Sequence, residues 1–157
     1  MKKIFLLFMI SISVTSLCIA QKGEDEPYVK TTFCIILSTK SYAEAKTFAE
    51  TASKQTSIKL DLRSLSPIKK EGLTMPKKDC EENGFEYPSY VARGRSDNGE
   101  YISIEYSNAY TEFAKGYYIV VASSGDKKKC NSTLLKVKKI YKTAYLKESL
   151  VYVGCMH

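Results

Sequence analysis

The chain carries one histidine, His157, and it is the last residue. A serine or cysteine nucleophile normally needs a base, most often histidine. A terminal histidine has no following chain to position it. Paired carboxylates for glycosidic chemistry can be drawn from Asp97, Glu100 and Glu105. Asp97 falls in the turn signal Ser96-Asp97-Asn98-Gly99. Glu100 and Glu105 differ in parity along an extended strand, so they point to opposite faces. Gly94 and Gly99 read as turn glycines, with no phosphate-binding loop around them. These residues point away from an enzyme, and no catalytic residue, cofactor or metal ligand is assigned.

Binding chemistry is better represented. The chain has 12 tyrosines, and seven fall between Tyr87 and Tyr118. Tyrosine stacks on sugar rings and hydrogen-bonds through its hydroxyl, and it suits protein interfaces for the same reason. Arg93 and Arg95 flank the turn, and Tyr101 follows it. Along Tyr101–Tyr106, Ile102 and Ile104 share one face, which is expected in the core. Tyr101, Ser103 and Glu105 share the other. Arg93 and Arg95 then face Tyr101 and Glu105, either as cross-strand ion pairs or as an anion-binding pair. The candidate contact residues are Arg93, Arg95, Tyr101 and Tyr87.

The elements that position these residues follow from periodicity. The run 31–39 (TTFCIILST) predicts a buried strand. Ser41 with Glu44 three residues on is a capping box, and Ala45, Phe48, Ala49 and Ala52 predict an amphipathic helix over 42–54. In 57–64, Ile58, Leu60 and Leu62 alternate with charged residues, which predicts a half-buried strand. Residues 65–86 read as a long loop. Residues 87–92 and 101–106 read as a hairpin closed at Asn98-Gly99. The run 116–124 (GYYIVVASS) predicts a second buried strand. A helix over 128–142 follows, and then strand to the end, with a break at Lys147-Glu148-Ser149. Two β-α-β units with matching first strands give an α+β fold, a ferredoxin-like antiparallel sheet with both helices on one face.

The first residues, MKKIFLLFMISISVTSLCIAQ, read as a signal peptide cut after Ala20. Leu17 before Cys18 disfavours lipid anchoring there. The expected layout is a signal peptide at 1–20, a charged leader at 21–30 and one globular domain at 31–157, with 65–115 inserted between the two units. The formal net charge of +7 includes Lys2 and Lys3 of the signal peptide. The remaining positive charge favours anionic partners such as cell-wall polymers. Export makes nucleic acid a poor partner, and the absence of a second long apolar run argues against membrane insertion after cleavage. Cys34, Cys80, Cys130 and Cys155 suggest two disulfides, with three possible pairings. A first strand antiparallel to the last would set Cys34 against Cys155 and leave Cys80 for Cys130.

The segments FCIILSTKSYAEAKTFAE, YYIVVASS and IYKTAYLKESLVYVG resemble the SPOR (sporulation-related repeat) domain. That resemblance implies a small domain recognising peptidoglycan glycan strands across one face of its sheet. The inserted 65–115 region and the four cysteines depart from the family pattern. The expected function is an exported, periplasmic or secreted, non-enzymatic binding module of the bacterial cell envelope. Its partner would be cell-wall glycan or an envelope protein. The alternative is an inhibitor or immunity protein that binds an exported enzyme or toxin.

Overall fold

A computed structural model describes residues 27–63 and 65–154. The expected signal peptide with Cys18 and the cleavage point after Ala20, and residues 21–26 of the leader, lie outside the described residues, as do Cys155 and His157. The element order begins with strand β1 (Tyr28–Thr39), helix α1 (Tyr42–Thr56) and the short strands β2 (Pro67–Ile68) and β3 (Gly72–Leu73). Helix α2 (Lys77–Glu82) and strand β4 (Gly99–Tyr106) come next, followed by a 3-10 turn over Ser107–Ala109. Strand β5 (Tyr118–Gly125), helix α3 (Lys127–Val137) and strand β6 (Tyr145–Tyr152) complete the chain. This is an α+β architecture built on a four-stranded antiparallel sheet of order β4-β5-β1-β6. No helix among the described residues is long and apolar enough to cross a membrane.

Both faces of the sheet are covered. On one face Ala45, Ala49 and Ala52 of α1 and Val137 of α3 pack on Cys34, Ile36, Ile102, Ile104, Val120 and Ala122. Alanine at the contact positions lets α1 approach the strands closely, and burying the aliphatic residues drives the docking. On the other face Phe33, Ile35, Ile119, Val121 and Val151 pack against Tyr110 and Phe113 of the connection after β4. Phe33 meets Tyr110 edge-on, with ring centroids 5.0 Å apart. β1 is buried on both faces between Thr31 and Ile36, which is why its sequence is a continuous apolar run instead of an alternation.

The start of α1 is capped as expected, with one change. The Glu44 N–H donates to Ser41 Oγ at 3.3 Å. The return arm runs through Thr39, whose hydroxyl accepts from the Ser41 N–H at 3.1 Å and donates to the Glu44 carboxylate. α3 starts at Asp126, whose carboxylate accepts from the N–H groups of Lys128 and Lys129.

Several expectations are corrected, among them the long loop 65–86, which carries β2, β3 and α2. β1 begins at Tyr28, so the charged leader ends earlier than residue 30. The segment 57–64 forms only an isolated parallel bridge, Leu60 to Ile102, although Ile58, Leu60 and Leu62 do join the core. α3 stops at Val137, and β6 is unbroken through Lys147–Ser149. The hairpin 87–106 does not form, because both edges of β4 are already taken. β5 pairs along one edge. On the other, Ile102 N–H donates to Lys59 O at 2.7 Å and Asp61 N–H to Ile102 O at 2.8 Å. Residues 87–98 therefore fold across the sheet instead of beside β4. β4 is a strand of the central sheet and not part of an insertion.

β1 and β6 do lie side by side and antiparallel. Their register sets Cys34 opposite Leu146 and Tyr28 opposite Tyr152, so β6 itself runs away from Cys34 towards its end. Cys34, Cys80 and Cys130 stand as buried free thiols, and no disulfide is present among the described residues.

Candidate functional site

The arginines flanking the turn part company in the structure. Arg93 is fully buried. Its Nε donates to Ser124 Oγ at 3.0 Å and its Nη2 to Gly99 O at 2.9 Å. Its Nη1 donates to Tyr101 O at 3.0 Å, Ser103 Oγ at 2.8 Å and Val121 O at 3.3 Å. The guanidinium lies 3.5 Å from the Tyr101 ring centroid. The planar fork of arginine can meet this spread of acceptors from one position; a lysine ammonium cannot. Of the two expected neighbours, Tyr101 stacks with Arg93 while Glu105 is paired by Arg63 instead, and the face they share is interior. Arg93 therefore holds residues 87–98 onto the sheet and is not presented to a ligand.

Around Arg93 runs a connected polar cluster. Buried Glu105 accepts from Ser103 Oγ at 2.6 Å, Tyr110 Oη at 3.1 Å and Arg63 Nη1 at 2.6 Å. Arg63 also pairs with Asp97 at 3.1 Å and donates to Val91 O at 3.1 Å. Tyr110 Oη accepts the Arg93 N–H at 2.9 Å. Burial pushes the Glu105 carboxyl up, while Arg63, Ser103, Arg93 and Tyr110 pull it back down. Burial lowers the Arg93 guanidinium, against the pull of Tyr101 and Glu105. Burial raises the Tyr101 hydroxyl to about 12. Arg63 is paired with Glu105 and Asp97, and Arg93 has its donors satisfied by neutral carbonyl and hydroxyl acceptors, so this cluster serves as an internal clamp.

The clamp and its neighbours shape a surface groove. Ser89 O accepts from the Met75 N–H at 2.9 Å and Thr74 Oγ1 at 2.7 Å, which anchors residues 89–91 from the other side. The groove has a volume of about 250 Å³. Its lining includes Tyr28, Tyr90, Arg95, Thr111, Leu150 and Tyr152. Tyr28 and Tyr152 are cross-strand partners, with rings meeting edge-on at 5.3 Å, and both are exposed. The Tyr90 ring is tilted against Tyr106 at 5.7 Å. Arg95 donates through Nη2 to Gly154 O, which fixes its stem at the rim. Together these give aromatic faces, hydroxyls and a guanidinium around one concavity.

Of the four sequence candidates, the structure brings only Arg95 into this groove. Tyr101 is half-buried under Arg93. Tyr87 sits elsewhere, half-buried at the cis Tyr87–Pro88 bond near Glu71 and Cys80. Tyr28, Tyr90 and Tyr152 were not singled out by the sequence. The available signal was that the strand-forming pair Tyr28-Val29 stands just before the apolar run, which extends β1 into the supposed leader. Glu100 and Glu105 do point to opposite faces. Glu100 binds Thr133 and Lys136 of α3, and Glu105 lies in the clamp. A larger cleft of about 400 Å³ lies at the start of α3, but it presents Glu100 and Asp126 and no aromatic side chain. Among the described residues no group of three or more acidic, cysteine or histidine side chains is placed to hold a metal ion.

The fold and site define an α+β domain with an internal polar clamp and a tyrosine-rimmed groove. No family model, no curated protein and no solved structure gives a significant match to the chain.

Proposed function

We propose that this chain is an exported, non-enzymatic binding module of the bacterial cell envelope, and that it holds a cell-wall glycan in the groove between Tyr28, Tyr90, Arg95 and Tyr152. The observation that carries this reading is the convergence of three tyrosines and one arginine on a concavity of about 250 Å³. The apolar faces of sugar rings stack on tyrosine, and ring hydroxyls take hydrogen bonds from phenol and guanidinium groups. The basic balance of the chain suits an anionic polymer. The strand order β4-β5-β1-β6, with α1 and α3 on one face, supports a ferredoxin-like, SPOR-like arrangement. In this chain the sheet face away from the helices is filled by Tyr110, Phe113 and Arg93. The ligand surface is accordingly shifted to the margin of the sheet, where β1 and β6 meet residues 89–95.

Co-sedimentation with purified peptidoglycan tests the reading. The wild-type chain is expected in the pellet at low salt. A Tyr28→Ala, Tyr90→Ala double variant is expected in the supernatant with an unchanged melting temperature. Equal pelleting of the two proteins would move the ligand surface elsewhere. No pelleting of either would end the glycan reading.

A further inference from the structure

Two of the buried cysteines belong to elements packed on each other. Cys34 lies on β1, on the face covered by α1 and α3. Cys130 lies in the first turn of α3 and is fully buried. Its thiol donates to Thr32 O at 3.3 Å, so it sits over β1 two residues from Cys34. Residues two apart on a strand share a face. On the neighbouring strand Ser123 of β5 is the cross-strand partner of Cys34. Cys130 is therefore held over the Thr32–Cys34 stretch of β1. Cys80, by contrast, sits in α2 against Met75.

We propose that Cys34 and Cys130 are joined by a disulfide in the oxidised protein, tying α3 to the second strand from the sheet edge. The bond goes beyond the binding reading and does not depend on it. The co-reactant is a small disulfide such as oxidised glutathione. One cysteine thiolate attacks it, forming a mixed disulfide and releasing one thiol. The second cysteine then attacks the protein sulfur of that mixed disulfide and releases the other thiol. Two protein thiols lose two electrons, and the small disulfide gains them as two thiols.

Timing follows from burial. In the folded chain burial, reinforced by the neighbouring Cys130, pushes the Cys34 thiol up to about 12. At neutral pH roughly one such thiol in 10⁵ is the reactive thiolate. The bond therefore closes during folding, before α3 seals the strand, and afterwards resists reduction.

The test is to refold the reduced full-length chain in a glutathione redox buffer, alkylate, and map tryptic peptides without reduction. Peptides 31–40 and 130–136, which contain Cys34 and Cys130, are expected as one cross-linked species. Cys130→Ser should abolish that species. The proposal is overturned if both peptides are recovered alkylated. It is equally overturned if Cys34 is linked to Cys80 or Cys155. Because the wild-type map alone decides, a variant that fails to fold does not weaken the test.

Discussion

Arg93→Ala removes the centre of the clamp. The guanidinium donates to Gly99 O, Tyr101 O, Val121 O, Ser103 Oγ and Ser124 Oγ. Alanine leaves these acceptors without their donor and opens a void beside the Tyr101 ring. Removing one member of a buried charged network costs about 3–5 kcal/mol. That is a large share of a domain stability of roughly 5–15 kcal/mol. For a chain of this size about 4 kcal/mol corresponds to a drop of roughly 12–20 °C in melting temperature. Arg93→Lys should recover little of it, because a single ammonium cannot span the same acceptors. Urea unfolding followed by circular dichroism or tyrosine fluorescence reads the effect, and the chain has no tryptophan to complicate the signal. A change below about 1 kcal/mol, together with lost glycan binding, would refute the clamp and return Arg93 to the surface.

Other outcomes follow from single contacts. Glu112 accepts from the Ser149 and Thr111 hydroxyls and the Leu150 N–H, which hold its carboxyl down at about 2. Its folded value is depressed, so the stability it adds is present above the ordinary 4.5 and is lost as pH falls toward about 2. The melting-temperature gap between wild type and Glu112→Gln should therefore shrink across that window, and a gap independent of pH would contradict the role. Gly72 has φ +78°, and an added Cβ would collide with the Tyr106 ring. Gly72→Ala should lower the urea midpoint, by more than the roughly 1 kcal/mol expected of backbone strain alone. Ser41→Ala should cost α1 about 1 kcal/mol, read in the same assay.

Local signals in the sequence anticipated the parts of the fold that local physics decides. The apolar run of β1, the Ser41 cap and the alanine stripe of α1 each appear where expected. Ile102 and Ile104 are in the core, and β1 lies antiparallel to β6. Apart from element ends and the expected break in β6, the misplacements are non-local. The expected turn at Asn98-Gly99 is not formed: the chain turns earlier, at Arg93-Gly94, and Gly99 already opens β4, so the segment before it crosses the sheet instead of pairing with β4. What decides this is that residues 59–61 occupy the free edge of β4, some 40 positions earlier in the chain. The arginines misled for the same reason. Parity along β4 placed Tyr101, Ser103 and Glu105 together correctly, but only the path of residues 87–98 makes that shared face interior. The groove was hidden because Tyr28 and Tyr152 are brought together by a strand register that neither segment reveals alone.

The most direct test of the groove is a heteronuclear amide-shift titration of the full-length chain with soluble peptidoglycan glycan oligomers. Saturable shifts are expected at Tyr28, Tyr90, Arg95, Thr111 and Tyr152, with the amides of α1 and α3 unmoved. Shifts confined to the helix face, or none at saturating oligomer, would contradict glycan recognition at this site.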